Sequence, residues 1–393
     1  MNQKQKMVTG SFVLLFIFSV AICTAMNMLN VIIPLYVTET LQGTAATAGL
    51  MTTFYTVAAC ASRPINGALT DKVGRRVMMA IGSALFCVGC LVSGLVPAIA
   101  ALTICRILMG VGYSAASTAN NTASTDVIPP DRMAEGIGYF GMSQSVASAF
   151  GPALASVVTV TLGNQNSLLA VAAVCGLALV LSLTISYEKA PGYQKPQPEN
   201  EEKSSGGFFE KAAILPALFE GLFLFLTSLP MCFATLYIVS RGYSSAVAGS
   251  FFVVASIVIV AVRLLLSGLM NRFGPLWFLI PGIGALIALC VLLPLVDSVM
   301  GFMVCGALHG LSHGIVWMVL GSEAVRNAPA DRRGAANATF YFAFDAAIGL
   351  GAAFWGMMID NVGYNMSFSV IVVACVLLIA ASIPVFRKQR TKR

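Results

Sequence analysis

One block of sequence occurs twice in this chain, two hundred positions apart, and the duplication restricts the fold more than any other feature. Gly67-Ala-Leu-Thr-Asp-Lys-Val-Gly-Arg-Arg76 is echoed by Ser267-Gly-Leu-Met-Asn-Arg-Phe-Gly274. The same offset relates Arg63 to Arg263, Ala48-Gly49 to Ala248-Gly249, Gly110 to Gly310, Asp131-Arg132 to Asp331-Arg332, Phe140 to Phe340 and Gly151 to Gly351. One unit has been used twice. Duplicated apolar halves of this length point to a carrier with its substrate site between them.

The medium follows from composition. The chain is 58% hydrophobic and 10% charged over 393 residues, with mean hydropathy +0.86, far too apolar for a soluble protein of this size. A membrane-spanning helix needs about 20 largely apolar residues. Twelve candidates meet that length, near 11–37, 46–70, 77–97, 99–124, 136–160, 164–187, 211–239, 245–270, 276–296, 299–322, 334–358 and 363–386. The expected fold is therefore an all-α membrane protein with two pseudo-symmetric six-helix domains, 1–187 and 211–393. They are joined by a linker over 188–210, rich in proline, serine, glycine and glutamate.

Orientation comes from the basic residues, because short basic loops resist translocation. With both termini cytoplasmic, 19 of the 23 Lys and Arg residues face the cytoplasm and only Arg241 lies in an outer loop. The net charge of +7 is then a topological bias plus a basic tail that can touch anionic lipid, not a nucleic-acid surface. The first apolar run is about 25 residues long, too long for a signal-peptide core, and is expected to be retained. The ten cysteines are scattered, and Cys87-Val-Gly-Cys90 lacks His or acidic partners, so neither a disulfide framework nor a metal site is expected.

Charge placement sorts the helices by burial, since an ionisable side chain at membrane depth faces protein or water rather than lipid. Spans three, six, nine and twelve have no charge in their interiors, whereas spans two, four, seven, eight, ten and eleven carry ionisable groups. Every third helix thus reads as lipid-facing, and the rest surround a polar cavity.

These features resemble the major facilitator superfamily. Gly67-x-Leu69-x-Asp71-x-x-Gly74-Arg75-Arg76 is similar to that family's signature between helices two and three, and Arg106-x-x-x-Gly110-x-Gly112 to its helix-four motif. Gly141 through Gly151-Pro152 resembles the helix-five motif of drug-proton antiporters, with Ala155-Ser156 where that motif closes on two glycines. The likeness to bacterial twelve-helix exporters implies that Asp71, beside Arg75 and Arg76, latches the halves on the cytoplasmic side when the cavity opens outward. Gly67 and Gly74 would allow the close approach and tight turn this needs.

Other side chains suggest the chemistry of transport. Glu220 lies about 13 Å into span seven and Asp345 at similar depth in span eleven, which makes them proton-binding candidates. His309, His313 and Trp317 share one face of span ten, where the two imidazoles can relay protons to either acid. Arg106 can hold a buried carboxylate or an anionic solute group. Arg63 and Arg263 lie near enough to the cytoplasmic face to snorkel. Thr24, Asn27, Asn30, Tyr113, Ser117, Asn120, Asn121, Gln144 and Tyr341 supply uncharged donors and acceptors for a solute cavity.

No Gly-x-x-x-x-Gly-Lys-Ser/Thr loop is present, so ATP hydrolysis by that route is excluded. His309-Gly-Leu-Ser-His313 lacks the glutamate of a metalloprotease helix, and the repeat argues against a receptor. The expectation is a monomeric secondary transporter in the cell membrane, needing no cofactor. It exports a small organic solute in exchange for protons, or imports a polar metabolite with them.

Overall fold

The computed structural model describes residues 9–128, 133–185, 188, 210–266, 274–326, 328 and 333–390. The described residues form helices and connections, with no strand among them. In chain order the helices are α1 (Gly10–Leu35), continued by a π-helical turn (Tyr36–Thr40), α2 (Ala45–Val73), α3 (Arg75–Leu95), α4 (Ile99–Val127) and α5 (Met133–Thr184). After the linker come α6 (Lys211–Ser240), α7 (Ser245–Leu266), α8 (Leu276–Leu292), α9 (Val299–Arg326) and α10 (Arg333–Arg390). Among the described residues, eight helices are long and apolar enough to cross a membrane. Lipid demands such a fold, because a helix satisfies every backbone polar group within one segment.

Two of these helices, α5 and α10, are broken. Gly163 adopts φ 77° and ψ 166°, and Gly363 adopts φ 78° and ψ 175°. These backbone conformations lie outside what a side chain with a Cβ adopts readily. Each glycine separates two apolar stretches, and the two breaks lie two hundred residues apart, at equivalent points of the repeat.

The residues cluster into two compact units. The first comprises Met1–Ile32 and Phe54–Glu201, the second Ile33–Thr53 and Glu202–Arg393.

In the first unit α3 packs on α4 and on the part of α5 after its break. Gly82 fits against Ala116, and the Gln165 side-chain amide donates to the Gly94 carbonyl at 2.8 Å. Gly110 presses against the backbone of Tyr55 and Ala59, bringing α4 onto α2. Gly151 sits on Asn27 and Thr24, and Ser143 bonds Ser19 at 2.7 Å, joining α5 to α1.

In the second unit α10 lies along α6, with Gly351 against Ser228 and the Trp355 indole N–H donating to the Phe225 carbonyl at 2.6 Å. α9 packs on α7 through Gly306, Gly310 and Gly314, which face Phe251, Ala255 and Ile259. Without a hydrophobic drive between helices in lipid, close backbone approach is a principal source of association, and small residues permit it. Residues 33–53 belong to this unit as well. The Asp360 carboxylate accepts from Ala45 N–H at 3.2 Å and Ala46 N–H at 2.8 Å, and the Thr53 hydroxyl donates to the Gly349 carbonyl at 2.6 Å. Asp360 thereby satisfies amides that the start of α2 leaves without helical partners.

Candidate functional site

Buried acidic, basic and imidazole side chains are few among the described residues: Arg75, Arg106, Glu210, Glu220, His309, His313, Glu323 and Asp345. In the first unit Arg106 is 1% exposed, with its guanidinium carbon 4.5 Å from the centroid of the Tyr55 ring. Tyr55, Phe86 and Tyr113 form an aromatic cluster with centroids 6.0–6.4 Å apart. The Gly110 contact positions this cluster, because it lets the two helices approach within reach of the side chains. The arrangement holds a cation by the ring quadrupole.

The amides expected to line a cavity divide. Thr24, Asn27, Asn30 and Asn120 are buried, whereas Asn121 is exposed and Gln144 half-buried. Asn27 donates to the Cys23 carbonyl at 2.8 Å, so part of its capacity is spent within α1. Ser117 bonds the Ser114 carbonyl at 3.4 Å, and the Tyr113 hydroxyl lies 3.8 Å from Cys23 Sγ.

The signature stretch forms a separate cluster at the end of α2. Gly74 takes φ 106°, turning the chain sharply into α3, while Gly67 has open space around it. The Arg75 guanidinium pairs with Asp126 of α4 at 3.0 Å, with both side chains buried, and the Arg75 backbone N–H donates to Glu188 at 2.7 Å. Arg76 donates to the Leu183 carbonyl. The side chain of Asp71, the expected latch, lies outside the described residues. Sequence reasoning missed Asp126 and Glu188. Their only signal was acidity at the ends of spans four and six.

The second unit holds the other cluster. Glu220 on α6 has no exposed area, and neither carboxyl oxygen has a hydrogen-bond partner among the described residues. Asp345 on α10 is 8% exposed. The two helices are close here, since a Cβ at Gly221 would meet Ala343 at 3.6 Å. His309 and His313 are buried with rings stacked at 6.2 Å and 13°, and Phe251 covers His309 at 5.6 Å. Neither histidine's Nδ1 has a partner among the described residues. No described His, Cys, Asp or Glu completes a metal-ligating group with them.

Arg263 departs from expectation. Its guanidinium carbon lies 4.5 Å from the Trp317 ring centroid, and its Nε and Nη1 are buried without hydrogen-bond partners among the described residues. A snorkelling side chain would carry these atoms to water. The cause is the glycine-lined contact of α9 with α7, which ends one turn from Trp317. Tyr341 is half-buried against Phe340 and Phe344.

Long apolar helices with buried charge define a polytopic membrane protein. The Major Facilitator Superfamily model matches residues 15–301 and 242–393, and the chain belongs to that family. It is 26% identical over 349 residues to the MFS-type transporter YhhS of Escherichia coli (strain K12), covering 84% of this chain and 82% of that protein. It is 23% identical over 399 residues to the staphylopine export protein of Staphylococcus aureus (strain Mu50 / ATCC 700699), covering 97% of each. Among solved structures, a mutant form of the nucleoside transporter NupG superposes with TM-score 0.77 at 16% identity, covering 96% of this chain and 100% of that one.

Proposed function

We propose that this chain is a proton-coupled exporter of a small organic solute, working by alternating access. In this reading twelve spans form two six-helix halves, 1–187 and 211–393, in the cell membrane, with both termini cytoplasmic. The protein acts as a monomer without a cofactor.

The burial of Glu220 carries the proposal. A carboxyl with no solvent contact and two unsatisfied oxygens is costly to maintain, and such intramembrane groups mark ion pathways. A proton taken at Glu220 or Asp345 favours one conformation and solute the other, which is the thermodynamic content of exchange. His309 and His313 serve as the proton relay in this reading. Arg106, Tyr113, Ser117, Asn120 and the α1 amides are the proposed solute-binding side chains of the first unit, and Trp317 and Tyr341 those of the second. The signature residues Arg75 and Arg76 serve the cytoplasmic gate. Likeness to a staphylopine export protein over 97% of the chain supports the outward direction.

The test is proteoliposome transport with a pH-sensitive dye inside. Solute moving one way with protons moving the other is the expected result, and movement in the same direction identifies import instead. Glu220→Gln and Asp345→Asn each keep shape but cannot exchange the proton. Uphill transport should fall at least tenfold in one of them while solute-solute exchange survives. Full gradient-driven transport in both would remove these acids from coupling.

A further inference from the structure

Six of the buried polar atoms without hydrogen-bond partners among the described residues belong to one neighbourhood of the second unit. They are both oxygens of Glu220, Nε and Nη1 of Arg263, and Nδ1 of His309 and of His313. Trp317, the ring beneath the Arg263 guanidinium, lies one turn beyond His313 on α9, His313 stacks on His309, and Arg263 lies within electrostatic reach of Glu220. Buried polar atoms are ordinarily satisfied, so a concentration of unsatisfied ones needs a physical reason.

The guanidinium itself supplies that reason. It lies over the Trp317 ring, 4.5 Å from the centroid, with Nε and Nη1 unspent among the described residues. A planar fork of N–H donors fixed in this way matches a carboxylate, and partial burial strengthens the charge-assisted bonds. Arg106 is stacked in the same fashion on Tyr55, but it comes from α4 onto α2. In the second unit the order is reversed, since Arg263 comes from α7 and its ring from α9. Gly306 replaces Arg106 in the repeat, and Trp317 replaces Ser117. The second platform is therefore not an inherited packing contact copied between the halves.

A charge argument completes the assignment and rests on the antiport reading above. In that reading solute binding is favoured when Glu220 is ionised, and a positive group on the solute is the direct electrostatic route to that preference. Arg263 requires that it also bring a negative one. Glu220 has no exposed surface and senses the positive group through space rather than by contact, which a low-dielectric interior permits. We propose that the transported solute is a zwitterion of amino-acid type, its carboxylate received by Arg263 on the Trp317 platform with Tyr341 beside it.

The experiment uses the full chain purified in detergent. Its thermal unfolding is followed with the twenty amino acids and a set of dipeptides, each beside its carboxamide and its N-acetyl derivative. At least one parent zwitterion should stabilise the protein, with its carboxamide and N-acetyl forms binding tenfold or more weakly. Arg263→Gln should erase discrimination against the carboxamide while keeping that against the N-acetyl form. Arg263→Lys, which keeps charge but loses the fork, should restore it in part, and Trp317→Phe, which keeps a ring, should weaken binding less than Arg263→Gln. Equal stabilisation by parents and derivatives, no stabilisation by any compound, or unchanged discrimination in Arg263→Gln would overturn the proposal. A second readout separates it from the transport reading. A solute that exchanges for protons without being a zwitterion overturns this assignment alone. A zwitterion that shows the Arg263 selectivity but moves no protons overturns antiport alone.

Discussion

At the scale of single residues, the unequal copies of the repeat show where charge is held and by what. The Arg75 guanidinium pairs with Asp126 while its backbone N–H is received by Glu188, so three segments of the first unit meet at one residue. Asp126→Ala removes the carboxylate that the buried Arg75 guanidinium bonds, and breaking a buried pair by deleting one partner costs about 3–5 kcal/mol in comparable cases. A melting curve of the detergent-purified protein should show the largest loss for Asp126→Ala. The double replacement Arg75→Met/Asp126→Leu should recover most of it, because the two bonded charges are then removed together. Equal melting of Asp126→Ala and the parent would show that the pair bears no such stress. Arg75 was legible as part of a motif. Its partners were not, because Asp126 and Glu188 lie 51 and 113 residues away and no local pattern connects them.

At the scale of elements, glycine decides which helices touch. Gly310 faces the Ala255 backbone on α7, and Gly110 faces the Tyr55 backbone on α2, at equivalent points of the repeat. Gly310→Leu must separate α9 from α7 and so draw Trp317 away from Arg263. The expected outcome is a clear loss of thermal stability, on the order of 1–3 kcal/mol for overpacking. Gly284→Leu, where a Cβ meets nothing within 4 Å, should leave the melting curve unchanged. Comparable melting of the two variants would contradict this reading of the contact. Helix positions could be read from apolar runs, since length and hydropathy are local. The breaks at Gly163 and Gly363 fall between spans read as separate, at 160–164 and 358–363, because glycine alone tolerates the dihedrals there. Residues 33–53 are different. Their association with the second unit rests on Asp360, Gly349 and Ala352, more than 290 residues away, and nothing in their composition announces it.

At the scale of the whole molecule, duplication is retained most faithfully where packing needs it. Cys90, Cys105 and Cys175 recur as Cys290, Cys305 and Cys375, and all six are buried. A buried thiol acts as a small apolar group, so these positions repeat as packing rather than chemistry. The orientation proposed from basic residues has its own test. Green fluorescent protein fused after Arg393 should fluoresce in cells, and alkaline phosphatase fused at the same point should be inactive. The opposite pair of results would reverse the topology.

The sequence by itself determined the medium, the helical class, the family likeness and the internal repeat. Apolar length and charge distribution act locally or statistically along a chain, and lipid leaves little alternative to helices. Tertiary structure alone decided which charges find partners and which remain unspent. Arg75 reads in the sequence as a charge of the signature loop and Arg263 as a charge inside a span. Arg75 is paired with the Asp126 carboxylate brought from α4, whereas Arg263 lies over an indole with Nε and Nη1 unpartnered among the described residues. That difference arises from helix contacts set by glycines far away in the chain, and hydrogen bonding is a property of neighbours in space.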